Sequence, residues 1–293
     1  MKTTPIPGPT LLDQRTGPLF KQILAILCVS LGPEFLGAAD LQPETLKAWD
    51  IYVHQVQMRM EERSRGQVPF LRLDEAPELT ERVHDGEIFV EPMGGESPLL
   101  VPRGLIHDWV GAVFVPKVRL DEVMGVLGEY ERYADFYGPM VVKSQLLGKQ
   151  PDREFVRLLM IQKAYRLTAA VEADDEIHVV RLDADRAYSL SISIHVREIA
   201  DYGKPNQNIL PQDQGSGYVW RMFTVTCLEH RDGGTYVEIE MIALSRGIPW
   251  PFGWLIQPLT ERLPRTILAS TLRDTRDAVG GDLRVASMTR KPH

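Results

Sequence analysis

Residues 254–279 read WLIQPLTERLPRTILASTLRDTRDAV. The apolar residues of this stretch recur three and four positions apart, as on one face of a long helix: Leu255, Leu259, Leu263, Ile267, Leu268, Leu272, Ala278 and Val279. Charged residues mark the opposite face: Arg262, Arg273, Asp274 and Asp277. We therefore predict a long amphipathic helix, which has to bury its apolar side against another element.

The chain upstream supplies a partner for that helix. Seven stretches read as strands: 140–147, 155–162, 165–173, 177–182, 188–199, 217–230 and 235–246. Turn-forming residues separate them, including Gly148, the pair at 174–175 and the pair at 233–234. This pattern predicts an α+β protein in which a curved antiparallel sheet grips the C-terminal helix and leaves a cavity between them.

The last two strands also predict which residues share a sheet face. If a turn at 233–234 joins these two strands, alternate residues of both lie on one face of the sheet: Trp220, Met222, Thr224, Thr226, Leu228, Val237, Ile239, Met241 and Ala243. We expect this set to face the helix. Arg221, Glu238 and Glu240 should point the other way. There the two carboxylates either pair with Arg221 or other charges across the sheet, or act as a catalytic pair.

The N-terminal part divides into smaller pieces. Residues 1–39 have the order of a secretory signal, with an apolar run at 23–31 and small residues before a cut near Ala39. A helix follows from Pro43, with Leu46, Trp49, Val53, Val56 and Met60 on one face. It opens an α+β extension over 40–104, ahead of the main domain at 105–280 and a disordered tail at 281–293.

Composition limits the class of protein. The 293 residues are 44% hydrophobic and 25% charged, as in folded globular proteins, and the net charge of -7 argues against nucleic-acid binding. The signal predicts an exported, periplasmic or extracellular protein; if 1–39 is instead a packed helix, the protein is cytoplasmic. Cys28 lies inside the signal, so a processed chain keeps only Cys227 and forms no internal disulfide.

A first strand at 104–116 and two short helices before residue 139 complete the element order. That order resembles the START-like superfamily, also called the polyketide cyclase/dehydrase and lipid transport group, which has the helix-grip fold. The resemblance is carried by GLIHDWVGAVFVP at 104–116, LDEVMGVLGEYERYADFYGPMVVKSQLL at 120–147, YVWRMF at 218–223, DGGTYVEIEMIALSRGIPW at 232–250 and LPRTILASTLRDTRDAV at 263–279. It implies the fold; members of the group include lipid and sterol carriers, quinone-binding proteins, hormone receptors and cyclases, so it leaves the activity open.

Candidate ligand-binding residues are the aromatic and methionine side chains around the expected cavity: Met160, Tyr188, Trp220, Met222, Met241, Phe252, Trp254 and Leu255. The same residues would equally build a dry core. Ser189, Ser191 and Ser193, continued by His195 and Arg197, form a polar strand face that is either solvated or lines the cavity. The loop at 201–217 and the connection at 247–252 are candidate entrance flaps.

Signs of catalysis are weaker. Nucleotide, zinc-protease and serine-hydrolase motifs are absent from the sequence, so we expect no cofactor, and the scattered histidines predict no metal site. His107 and Asp108 are adjacent on one strand and should point to opposite faces. The candidate acid–base residues are His107, His195, Arg197 and Arg221.

Three functions follow from these expectations. The first is binding or carriage of a hydrophobic small molecule, such as a lipid, a quinone or a polyketide-like compound, between sheet and helix. The second is a cyclase or aromatase that uses the same cavity. The third is an interaction module with a packed interior and assembly through the helix that carries Trp49. Transient membrane contact and the oligomeric state are left open.

Overall fold

A computed structural model describes residues 40–164, 167–247 and 253–289, except for the side chains of 164, 167, 253–262 and 282–289. The predicted export signal at 1–39, with Cys28, lies outside the described residues and stays a prediction. Phe252 lies outside them too, as do the side chains of Trp254 and Leu255. No helix in the described ranges is long and apolar enough to cross a bilayer.

Ten strands of the described chain form one antiparallel sheet. They are β1 (Phe89–Pro92), β2 (Leu99–Val101), β3 (Gly104–Pro116), β4 (Val141–Lys149), β5 (Glu154–Ala164), β6 (Leu167–Arg181), β7 (Arg186–Ala200), β8 (Asn208–Ile209), β9 (Arg221–Arg231) and β10 (Gly234–Arg246). The spatial order is β1-β3-β10-β9-β7-β6-β5-β4, while β2 pairs with β3 and β8 with β7. The first long strand therefore lies next to the last.

Five α-helices of the described residues accompany the sheet. They are α1 (Pro43–Ser64), α2 (Pro77–His84), α3 (Leu120–Leu127), α4 (Tyr133–Phe136) and α5 (Gly253–Thr289). The predicted α+β helix-grip architecture is confirmed. Helix α5 continues past Gly280 and Gly281 into the segment for which the sequence predicts a disordered tail. A glycine costs about 1 kcal/mol in a helix interior, and these two do not end this helix.

The two faces of the sheet have different coverings. Helix α5 packs through Leu268, Leu272 and Val279 on one face, which we call the inner face. Helix α1 packs through Trp49, Val56 and Met60 on the other, the outer face, which also receives Phe70, Leu71, Leu73 and Val83. The N-terminal extension therefore shares a hydrophobic core with the sheet.

The register of β9 and β10 confirms most of the predicted face assignment. Val237 pairs with Leu228 and Ile239 with Thr226, and Leu228, Val237 and Ile239 pack with α5. Helix α5 comes close to the sheet at Gly111 on the neighbouring β3. A Cβ at Gly111 would lie 2.8 Å from Leu272 Cδ1, so only glycine leaves room for the helix there.

One predicted turn is absent. The sequence predicts a break at 174–175, but β6 runs without interruption from Leu167 to Arg181. The pairing with β7 instead shifts by one residue at this point: Asp174 pairs with His195, and Asp175 with Ser193. Such an irregularity, a β-bulge, leaves the strand intact and changes which residues of the bulged strand share a face.

Candidate functional site

Burial alternates along β9 in a way that distinguishes the two faces. Phe223, Val225 and Cys227 point outward under α1 and are fully buried. Met222, Thr224 and Thr226 point inward and are only half-buried, as are Met241 and Ala243 on β10. Side chains that face a domain interior and remain accessible line open space, so this part of the inner face is the candidate site.

The register extends the candidate site from β9 and β10 to β7, β6 and β5. Thr224 pairs with Ser191 and Thr226 with Ser189. On the far side, Ala173 pairs with Val196 on β7 and with Leu158 on β5, and Val171 pairs with Met160. The inner face of β5, β6, β7 and β9 thus combines thioether and aliphatic side chains with a central band of hydroxyls.

One end of the candidate site is closed by the segment that precedes β9. Tyr218, Val219 and Met222 pack against Val171, Ala173 and Val196. The Tyr218 hydroxyl donates to the Ala170 carbonyl oxygen over 2.8 Å. The loop at 201–217 is held beside this end, because the Glu198 carboxylate accepts hydrogen bonds from the amide and hydroxyl of Ser216 at 2.6 and 2.9 Å.

Asp175 is a buried acidic group of the candidate site. It pairs with Val156 and Ser193 on the inner face and is 9% exposed. Its Oδ2 accepts a long hydrogen bond of 3.4 Å from the Ser191 hydroxyl, while Oδ1 is buried without a partner in the described chain. Burial raises the pKa of Asp175 to about 7, and the Ser191 hydroxyl opposes that rise.

Two polar ring atoms also face inward and have no hydrogen-bond partner among the described residues. His107 shares a register position with Ala243, and its Nε2 lies 2.9 Å from the Ser245 hydroxyl while its Nδ1 is unpartnered. Burial lowers the pKa of His107 to about 4, so its imidazole is neutral at physiological pH. Trp109, opposite Met241, likewise has a buried and unpartnered Nε1.

The predicted site residues divide between the two faces. Met160, Met222, Met241 and His107 lie on the inner face. Tyr188 and Trp220 pack in the outer-face core with α1. For both residues, placement in the cavity wall is wrong. Trp220 lies just before β9, where the chain departs from strand alternation, and its ring packs so close to Gly217 that a Cβ there would lie 2.8 Å away.

The bulge explains why His195 and Arg197 are on the outer face. Ser193 pairs with Asp175, whereas His195 pairs with Asp174, and adjacent residues of a strand point in opposite directions. His195 Nδ1 lies 3.5 Å from Asp174, and Arg197 donates to Glu172 over 2.5 Å. Both therefore belong to an outer-face charge network, and the expectation that they share the serine face is wrong.

A second charge network fixes α1 to the sheet. Glu238 accepts hydrogen bonds from Arg63 at 3.2 Å and from the backbone amides of Arg72 and Leu73 at 3.0 Å. Glu240 accepts from Arg59 at 2.7 Å. These carboxylates pair with α1 and not with Arg221.

Arg221 and Asp108 also lie away from the inner face. Arg221 donates to Asp213 over 2.6 Å and does not reach the inner face. Asp108 lies on the outer face, opposite His107 as predicted, and accepts from the Tyr52 hydroxyl at 2.6 Å. Burial, followed by the charge of Glu240, raises the pKa of Asp108 to about 7.

Sequence reasoning missed Asp175, Trp109 and Leu158. A period-two pattern through Val171, Ala173, Asp175, Ile177 and Val179 marks a single strand face and was the available signal for Asp175. Within the described ranges, no group of three or more His, Cys, Asp or Glu side chains is placed to hold a metal ion.

No protein-family model matches the chain, and no curated protein sequence matches it. Solved structures that align with it include a STAR-related lipid transfer protein from Xanthomonas axonopodis, with 18% identity over 62% of this chain and 96% of that one, at a TM-score of 0.41. Human STARD10 aligns at 7% identity over 65% of this chain and 76% of that one, with a TM-score of 0.41. The Zhui aromatase/cyclase from Streptomyces sp. R1128 aligns at 13% identity over 60% of this chain and 93% of that one, with a TM-score of 0.38. These are structures of the group that the sequence resembles.

Proposed function

We propose that this protein binds a hydrophobic small molecule on the inner face between the sheet and α5. The observation that carries the proposal is the alternation along β9, where outward side chains are buried and the inward Met222, Thr224 and Thr226 remain half-buried. If the inner face were only a packed core, the inward side chains would be buried as completely as the outward ones.

The composition of the inner face supports an apolar ligand with one polar end. Leu158, Met160, Met222 and Met241 offer adaptable apolar surface, since methionine side chains fit irregular shapes. Each methylene buried there contributes about 0.8 kcal/mol, so about ten of them supply roughly 8 kcal/mol. That is the same order as the estimated cost of immobilising a ligand. The hydroxyls and Asp175 then set the orientation.

The geometry supports binding more than acid–base catalysis. Two inner-face groups whose pKa values are shifted by burial are His107 on β3 and Asp175 on β6. Four inter-strand spacings separate β3 from β6, roughly 19 Å at about 4.8 Å each. General acids and bases act within hydrogen-bond reach of the atoms that they protonate, so these two groups cannot serve one reaction centre together.

Occlusion of the inner face tests the proposal. N-phenyl-1-naphthylamine, an uncharged fluorescent apolar probe, should bind the wild type with a rise in fluorescence. Met222→Trp fills the site and should weaken probe binding at least about tenfold, or 1.4 kcal/mol. Met58→Trp is the matched control, because Met58 is 42% exposed on α1 and remote from the inner face. Thermal unfolding of both variants checks that they remain folded.

Two results would contradict the proposal. One is failure of the probe to bind the wild type, which indicates a closed interior and favours the interaction module. The other is equal affinity for the wild type and a folded Met222→Trp variant, which removes the inner face of β9 from the site.

A further inference from the structure

Asp175 stands apart from the other acidic groups of the sheet. Its neighbour Asp174, on the outer face, accepts two hydrogen bonds from the Arg157 guanidinium at 2.6 and 2.8 Å. Arg197 and His195 lie 3.9 and 3.5 Å from the same carboxylate. These cations thus lie on the Asp174 side, and Asp175 is buried without a cation partner among the described residues.

As far as the structure describes them, β5, β6, β7 and β9 offer no basic group close to Asp175 on the inner face. On the described inner face of β5, β6, β7 and β9, the only Lys or Arg is Arg181, at the far end of β6, where it pairs with Asp121. Six residues separate Asp175 from Arg181, roughly 20 Å along a strand. Tyr133 also lies near Asp175, but its hydroxyl donates to the Leu127 carbonyl oxygen over 2.6 Å.

These surroundings determine what Asp175 can recognise. Burial raises the pKa of Asp175 to about 7, so below neutral pH the group is mostly an uncharged carboxylic acid. Such an acid offers one O–H donor and an acceptor oxygen, and the Ser191 hydroxyl beside it also donates and accepts. An anionic headgroup would have to lie in this region without a cation, which is costly in a low-dielectric interior.

We infer that the ligand places an uncharged hydroxyl or carbonyl group against Asp175 and Ser191, and that carboxylate and phosphate headgroups are rejected. This inference rests on the proposed binding of an apolar molecule at the inner face. It adds the chemical class of the ligand: a neutral long-chain alcohol, sterol-like alcohol or ketone, and not a fatty acid or phospholipid.

Chain-matched ligands test the inference. Hexadecanol, hexadecanoate and hexadecylamine share one apolar chain and differ in headgroup charge, so each can compete with bound N-phenyl-1-naphthylamine at about pH 6. We expect hexadecanol to bind at least about tenfold more tightly than hexadecanoate. Equal or tighter binding of hexadecanoate would overturn the inference and leave the proposed function standing, whereas failure of all three compounds and of the probe to bind would overturn both.

Variants of Asp174 and Asp175 test which of the two residues determines the preference for hexadecanol over hexadecanoate. Asp175→Asn retains a donor and an acceptor and should keep hexadecanol binding within about threefold. Asp175→Val removes both and should reduce the preference for hexadecanol over hexadecanoate about tenfold. Asp174→Asn, which alters the outer face alone, should leave the preference unchanged. Tightest binding of hexadecylamine, lost in Asp175→Asn, would show an ionised counter-ion and contradict an uncharged headgroup.

Discussion

Glu238 and Asp175 are both buried carboxyl groups of one sheet, yet their surroundings differ completely. On the outer face, Glu238 accepts hydrogen bonds from Arg63 and from two backbone amides. On the inner face, Asp175 has a long contact to Ser191 and a buried oxygen without a partner in the described chain. A buried polar group normally finds its hydrogen bonds within the protein. The outer face meets that requirement by holding α1. On the inner face one oxygen of Asp175 has no partner among the described residues, and we propose that a ligand supplies it.

Loss of the Arg63 cation should have the largest effect on stability. Arg63→Met keeps much of the side-chain volume but leaves Glu238 buried without its ion-pair partner, and we expect a loss of about 3–5 kcal/mol. Urea denaturation at neutral pH measures it. The control is Arg65→Met, which breaks an exposed pair with Glu61 and should change stability little. Similar small losses in both variants would show that the outer network does not secure α1.

Asp175 should make stability depend on pH. Its pKa is about 7 when folded and near 3.8 when unfolded, so the folded state holds more protons between these values. Stability should therefore fall as pH rises from about 4 to about 7, by up to about 4 kcal/mol. Asp175→Asn removes this penalty and should gain stability relative to the wild type over that range. The pKa of Asp108 is also raised, but its contribution cancels when the variant is compared with the wild type, because both proteins contain Asp108.

Asp174 should make stability change with pH in the opposite direction from Asp175. Arg157 holds the pKa of Asp174 below its usual value, so its contribution to stability is present at neutral pH and is lost as pH falls. Asp174→Asn should destabilise the protein at pH 7, whereas Asp175→Asn stabilises it. Effects of the same sign, followed by urea denaturation between about pH 4 and 8, would refute the assignment of the two residues to different faces.

Substitution of one methionine on each face should show how tightly the two faces are packed. Met60, on the buried face of α1, is 3% exposed and its sulfur lies 3.5 Å from Cys227 Sγ, whereas Met222 is half-buried on the inner face. Met60→Ala creates a cavity in a closed core, while Met222→Ala enlarges a space that is already open. We expect Met60→Ala to cost about 2 kcal/mol more than Met222→Ala in denaturant unfolding. Equal costs would indicate that both faces are packed cores.

The smallest expected effect concerns the contact between α5 and the end of α4. The Tyr137 hydroxyl lies 3.1 Å from the Thr275 hydroxyl, and both residues are buried. Tyr137→Phe should cost about 1 kcal/mol, the usual net contribution of one hydrogen bond. A double-mutant cycle with Thr275→Val checks it: the two losses should be less than additive, and strict additivity would exclude coupling between them.

Much of the fold was readable from local patterns. The spacing of Trp49, Val56 and Met60 predicted the buried face of α1, and the alternation in β9 and β10 predicted which of their residues pack with α5. The candidate site was predicted less well. Met160, Met222, Met241 and His107 lie on the inner face, but Tyr188, Trp220, His195, Arg197 and Arg221 do not.

The sequence by itself determined the periods of its helices and strands, because those depend on residues a few positions apart. Only the tertiary structure decided the register shift at Asp174 and Asp175, because it depends on hydrogen bonds between β6 and β7. That shift turns His195 outward and leaves Asp175 facing inward. The tertiary structure also decided that α1 brings Arg63 to Glu238, a contact between residues far apart in the chain. The Arg63 contact gives the buried Glu238 charge a partner, whereas the shift leaves Asp175 buried without one. Both outcomes depend on contacts between distant parts of the fold, which local sequence does not encode.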